Sequence, residues 1–150
     1  MCQLARRDAP SVGSFRRIEG AGGDGGVECL VKSADGTVGY QAKFYTKSGD
    51  IDWTAIDKSV ATAVNLHPDL VRYVIALPCD FTGRRRTRGD KVSDGTWEIW
   101  DEHVDEWERS CTKPVQFVPW TAAELNARLT PTNADGLRAY WFTQVEFSSQ

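Results

Sequence analysis

An α/β domain built on a mixed sheet is the fold class the sequence predicts, on three observations. Ser33-Ala34-Asp35-Gly36-Thr37 carries the aspartyl-glycine signal of a tight hairpin between two strand-like runs. Leu70 to Leu77 and Val115 to Val118 are short, apolar, β-branched runs of the kind a sheet buries on both faces. Helical periodicities alternate with those runs, so the second half reads strand, helix, strand, helix, the order of a mainly parallel sheet. The 150 residues, 41% hydrophobic with six tryptophans, suffice for one sizeable core and are too few for two ordinary domains.

The elements follow in order. Residues 1–18 mix charge with a Pro10-Ser11-Val12-Gly13-Ser14 break, which allows at most a short helix and an apolar approach through Phe15 and Ile18. Val27 to Lys32 and Val38 to Tyr45 read as the arms of the hairpin. From Asp52 onward Trp53, Ile56, Val60, Ala63 and Val64 recur at helical spacing, with Asp52 as the N-cap and Pro68 as the stop. Trp97, Trp100, Val104 and Trp107 share one face of a later helix, a spacing that favours core packing over base stacking. Pro119 is expected to end the Val115 to Val118 strand. Thr121 to Leu129 is a last helix, with Thr121 and Glu124 placed as a capping box. Residues 131–136 read as a linker, and Leu137, Tyr140, Trp141, Phe142, Val145 and Phe147 bring apolar bulk to the end, as in a domain taken from a longer protein.

Composition narrows the function classes. A formal charge of -3 argues against a generally basic nucleic-acid binder, so phosphate contact falls to local clusters, above all Arg84-Arg85-Arg86-Thr87-Arg88 in a loop. Guanidinium groups bind phosphate oxygens in a fork, although such a cluster equally suits a solvated loop. Cys2, Cys29, Cys79 and Cys111 form no CxxC pair, so reduced thiols rather than a zinc or redox motif are expected. No apolar run reaches membrane-spanning length and the first residues lack the core of a signal peptide; a cytoplasmic protein with no membrane partner is expected. His67 is expected to finish the first long helix and His103 to be solvated.

The chemistry concentrates in two segments: Gly20-Ala21-Gly22-Gly23-Asp24-Gly25-Gly26-Val27-Glu28, and Gly39-Tyr40-Gln41-Ala42-Lys43-Phe44. With Asp35-Gly36 as the two-residue turn, Ala34 opposes Thr37, Leu30 opposes Gln41 and Glu28 opposes Lys43. Strand alternation then puts Glu28, Gln41 and Lys43 on one face, with Asp24 of the same parity. Hard cations such as Mg²⁺ take carboxylate and amide oxygens, so Asp24, Glu28 and Gln41 suit a metal shell, and Lys43 suits the charge that builds on a phosphodiester under attack. Residue by residue, a cross-strand ion pair and a solvated amide explain the same positions; their grouping favours chemistry. The glycine run also matches GxGxxG, but it precedes a strand rather than opening a helix and carries Asp24 where a pyrophosphate would sit, which argues against nucleotide binding.

Gln41-Ala42-Lys43, with FRRIEGAGGDGGVE before it and HPDLVRYVIALPCDFTG after it, resembles the PD-(D/E)XK nuclease superfamily in its Mrr-like variant, where glutamine replaces the acid before Xaa-Lys. The surrounding residues, roughly from Phe15 onward, look like the N-terminal effector nuclease of bacterial anti-phage STAND NTPases. The resemblance implies a restriction-endonuclease-like core, with the acid on the second core strand and the Xaa-Lys dyad on the third. It implies that the family's aspartate maps to either Asp24 or Glu28, that the Ala42 main-chain oxygen ligates the metal, and that Glu19 corresponds to an extra acid some members supply. The expected activity is a Mg²⁺-dependent endodeoxyribonuclease, with Mn²⁺ able to substitute, cutting DNA as duplex and self-associating through a larger sensor protein. The alternative is a catalytically degenerate relative that binds DNA or assembles oligomers.

Overall fold

The computed structural model describes residues 1–9, 13–18, 26–86, 92–130 and 135–139. In chain order these form α1 (Cys2–Asp8), β1 (Ser14–Arg17), β2 (Cys29–Ser33), β3 (Gly36–Ala42), α2 (Trp53–Leu66) and β4 (Leu70–Ala76). A small hairpin of β5 (Arg85–Arg86) and β6 (Val92–Ser93) follows, then α3 (Thr96–Ser110), β7 (Gln116–Trp120), α4 (Ala122–Leu129) and a single turn, α5 (Asp135–Arg138). The main sheet has the order β1-β2-β3-β4-β7. β1, β2 and β3 run antiparallel, while β3, β4 and β7 run parallel. The fold is therefore the mixed α/β sheet expected, a hairpin joined to parallel strands and flanked by helices, consistent with a restriction-endonuclease-like core.

Side-chain alternation divides the core in two. Leu30, Tyr73, Ile75 and Phe117 meet Ile56, Val60 and Ala63 of α2 and Trp100 and Trp107 of α3 on one face. Cys29, Val31, Tyr40, Val74 and Trp120 meet Ala5 of α1 and Leu125 of α4 on the other. Each large apolar side chain so buried contributes about 1.5–3 kcal/mol. Asp52 caps α2 through a hydrogen bond from the Ala55 N–H (3.0 Å), and His67 closes that helix as its C-cap. The three helical tryptophans part company: Trp100 and Trp107 are 3% and 5% exposed, Trp97 is 42% exposed.

Several expectations are corrected. The hairpin turns on Ala34-Asp35, because Ser33 pairs with Gly36 and Lys32 with Thr37. Gly36 is needed in the ladder itself: its φ is +130°, and a Cβ there would lie 2.5 Å from Val71 Cγ1. β1 is a real strand where only an apolar approach was expected; its exposed, arginine-rich residues carry little alternation to reveal it. β7 runs through Pro119, which pairs with Ile75, because β7 is an edge strand and a missing N–H costs nothing on the open side. Thr121 makes no side-chain cap at α4; the Asp80 carboxylate accepts from the Ala123 N–H instead (2.9 Å). His103 is not solvated. Its Nδ1 lies 2.8 Å from Asp57 Oδ1, its ring stacks on Trp53 at 4.8 Å, and the Trp107 Nε1–H donates to the same Asp57 oxygen (2.9 Å), joining α3 to α2. The linker and terminal aromatics fall almost entirely outside the described residues.

A second polar cluster lies under α1. The Asp8 carboxylate accepts from Tyr40 Oη (3.0 Å) and Arg72 (3.0 Å) and pairs with Arg128 (3.2 Å), tying α1 to β3, β4 and α4. Arg128 also lies over the Trp120 ring, 4.1 Å from its centroid. Burial, then the Asp8 charge, pushes the Tyr40 hydroxyl well above its ordinary pKa, so it serves as a donor throughout the usual pH range.

Candidate metal and phosphodiester site

Glu28 and Gln41 come together because β2 and β3 keep their parity. The register differs from the expected one by two residues, a whole strand period, so every side chain keeps its face. The paired numbers sum to 69, which sets Glu28 opposite Gln41 rather than Lys43. The Glu28 N–H donates to the Tyr40 carbonyl (2.8 Å) and the Ile18 N–H to the Glu28 carbonyl (2.8 Å), fixing Glu28 between the ends of β1 and β3. Gly39 marks the face: a Cβ added there would meet Val27, Tyr73 and Leu70, the side covered by α2 and α3.

The contacts converge on a small space. Glu28 Oε1 accepts from the Ala42 N–H at 3.3 Å and from Gln41 Nε2 at 3.5 Å. Gln41 Nε2 also donates to the Ala42 carbonyl at 3.2 Å. The amide's donor end thus lies between a carboxylate oxygen and a main-chain oxygen, both at the long end of hydrogen bonding. Gln41 is only 5% exposed, and its Oε1 is buried with no hydrogen-bond partner among the described residues. An acceptor so orphaned ordinarily costs about 1–3 kcal/mol, which asks for an explanation such as an ion.

Lys43 follows immediately, its N–H held by the Ala76 carbonyl (2.9 Å) at the carboxyl end of β4. Lys43 is half-buried, and its ammonium group forms no ion pair with the described residues, so the cross-strand bridge to Glu28 that would explain both residues structurally is not made. Phe44, beside it, is 83% exposed. A cavity of about 350 Å³ opens beside Glu28, lined by Met1, Cys2, Gln3, Arg17 and Ile18. A cavity of about 400 Å³ lies at the far end of the sheet, around Cys111 to Val115, away from Glu28, Gln41 and Lys43.

Asp24 and Glu19 lie outside the described residues, as does Arg88. Among the described residues there is no group of three His, Cys, Asp or Glu side chains able to hold a metal. The glycine reading shifts in one respect: Gly26 has φ +76° and packs its backbone against Ser59 and Ala63 of α2, while Tyr73 Oη donates to its carbonyl, so its close approach is to a helix. Arg84 pairs with Asp94 (3.0 Å), whereas Arg85 is exposed and pairs with none of the described residues. Arg85 and Arg86 stand on the β5–β6 hairpin rather than in an irregular loop. The cysteines are free, and burial pushes the Cys79 and Cys111 thiols up, while burial, then the neighbouring Cys2 thiol, does the same to Cys29.

What sequence reasoning missed is exposure at the carboxyl end of the sheet. Phe44 continues the β3 pattern and Trp97 the α3 stripe, and periodicity alone cannot show that each runs past the core's edge. Among the described residues no helix is long and apolar enough to cross a membrane. The chain matches no protein-family model, and neither curated proteins nor solved structures give a match.

Proposed function

We propose that this domain is a Mg²⁺-dependent endonuclease of the PD-(D/E)XK type that hydrolyses DNA phosphodiester bonds, serving as the effector of an anti-phage defence protein. The observation that carries the reading is the unpartnered, buried Gln41 Oε1 beside Glu28. Glu28 Oε1 and the Ala42 carbonyl already face one point, occupied by the donor end of the Gln41 amide. Turning the amide end for end would bring three oxygens there, a donor set suited to a hard cation. Glu28, Gln41 and the Ala42 oxygen would hold Mg²⁺, with Asp24 or Glu19 as further carboxylates. When bound, the ion supplies a Lewis acid for phosphoryl oxygen and an acidified water.

The chain's own residues do the rest. Lys43, free of any ion pair among the described residues, is available to orient the attacking water and to offset charge growing on the non-bridging oxygens. Arg85 is available to hold a neighbouring phosphate. Incubation of the chain with plasmid DNA should give cleavage that requires Mg²⁺ or Mn²⁺, and Lys43→Ala should lower its rate roughly a hundredfold or more. Equal cutting by wild type and Lys43→Ala would remove the mechanism. Because one site cuts one strand, duplex breaks should rise steeply with protein concentration, as self-association requires.

The second reading is a degenerate nuclease fold that binds DNA or assembles oligomers. It is favoured by the neutral glutamine in an acid's place and by Glu28 being the only carboxylate that meets Gln41 among the described residues. Metal-independent DNA binding with no cutting at any protein concentration would select it.

A further inference from the structure

The base of the β5–β6 hairpin is fastened to the start of α3. The Trp97 N–H donates to the Thr82 carbonyl (3.1 Å), the Thr96 N–H to Thr82 Oγ1 (3.2 Å), and the Arg84 N–H to Glu98 Oε1 (3.3 Å). Gly95 packs so closely on Thr82 and Gly83 that a side chain there would collide with their backbone. These ties fasten the strand that carries Arg85 to the first turn of the helix that carries Trp97. Trp97 is supported from behind by Phe81, whose ring meets it edge-on at 4.9 Å and is itself backed by Trp53 and Trp100. The result is a fixed aromatic plate, 42% exposed, at the start of the helix to which the hairpin is fastened; Arg85 on that hairpin is exposed and makes no ion pair with the described residues.

Its position follows from the topology. β4 ends at Ala76 opposite Ala42, so the chain that leads to Phe81 and the hairpin leaves the sheet at the same end as Gln41 and Lys43. α3 covers the same sheet face that Glu28 and Gln41 share. An aromatic surface with an exposed cation on the hairpin fastened to it is the chemistry that binds unpaired bases: every base offers a π-face to stack, and a neighbouring phosphate takes the guanidinium. A fully paired duplex keeps its base faces inside the stack and would offer this plate only phosphates.

Resting on the nuclease reading above, we infer that Trp97 and Arg85 form a stacking platform for a single DNA strand, which selects substrates with unpaired nucleotides beside the scissile phosphate. The test is fluorescence anisotropy of a labelled mixed-sequence oligonucleotide, single-stranded or annealed, with the full chain in EDTA so that nothing is cut. Trp97→Ala should weaken single-strand binding roughly five- to a hundredfold and leave duplex binding within about twofold. Trp97→Tyr, which keeps a stacking ring and guards against a merely unfolded variant, should restore most of the affinity. Arg85→Ala should weaken both forms and flatten their salt dependence. Unchanged single-strand affinity in Trp97→Ala, or a wild type that binds duplex alone, overturns the inference. Cutting is read separately: loss of the platform with Mg²⁺-dependent, Lys43-dependent cleavage intact removes only this inference. Trp97-dependent strand binding without any cleavage removes the nuclease reading and leaves the platform standing.

Discussion

Tyr40 and Gln41 are neighbours on β3 and point to opposite faces, into two polar clusters that could hardly differ more. Beneath α1, the Asp8 carboxylate is taken up by Tyr40, Arg72 and Arg128 at 3.0–3.2 Å, drawing donors from three elements. Beneath the other face, among the described residues, the Glu28 carboxylate has two contacts of 3.3 and 3.5 Å and the Gln41 oxygen has none. Native proteins satisfy most of their buried polar groups, and each exception calls for its own explanation. The Asp8 clamp is not free of unmet groups, since Arg128 Nε and Trp120 Nε1 are also buried with no partner among the described residues; what sets the two clusters apart is that the clamp's charge is paired at short range and the candidate site's is not.

The largest expected effect would break the clamp. Asp8→Ala should cost about 3 kcal/mol in urea denaturation, since it strands two partly buried guanidinium groups and a buried phenol; a cost below about 1 kcal/mol would mean that the cluster holds nothing together. Glu28→Gln should behave in the opposite way, changing stability by less than about 1 kcal/mol, because its hydrogen bonds are long, while abolishing metal-dependent cutting. A Glu28→Gln variant that unfolds as readily as Asp8→Ala would erase the distinction.

Gln41→Glu sharpens the comparison from the site's side. A second carboxylate buried beside Glu28 should lower the melting temperature without metal, and added Mg²⁺ should then raise it by more than in the wild type, by linkage to binding. No Mg²⁺-dependent rise in either protein would count against a cation between these side chains.

A smaller effect tests the helix pair above the site. His103→Ala should cost about 1–2 kcal/mol, from the Asp57 bond and the stacked Trp53, readable as a lowered urea midpoint. The smallest concerns acid. Thr37 Oγ1 donates to Asp69 at 2.6 Å, and this bond, against a smaller opposing effect of burial, holds the Asp69 carboxyl below its ordinary range. Its folded pKa is depressed, so the stabilisation is present above about pH 4 and is lost as pH falls through the folded value. Asp69 is half exposed, so solvent screening keeps this below about 1 kcal/mol. Thr37→Val should flatten stability against pH in that window and lower it above.

Much of the fold was legible because strand parity and helical spacing are strong local signals. The shared face of Glu28 and Gln41 withstood a wrong turn residue, since sliding the hairpin by two positions leaves every side chain on its own side. Turn chemistry was less legible: Asp35-Gly36 looks like a turn, but the glycine is required one step later, by a positive φ and the approach of Val71. Capping at Thr121 failed because a distant carboxylate, Asp80, reaches the helix first, and no local pattern contains that. The bonds of His103 to Asp57 and of Asp8 to Arg128 span 46 and 120 residues, distances at which sequence shows composition but not contact.

Pro119 has one further consequence. β7 ends the sheet on its parallel side, and its Trp120 carbonyl turns inward to the Leu77 N–H, so the neighbouring Pro119 nitrogen turns outward, where it has no hydrogen to offer. A second molecule could not dock there as an additional strand with an unbroken ladder. Any contact between copies on this flank must therefore be made through side chains, and the edge is blunted against amyloid-like stacking.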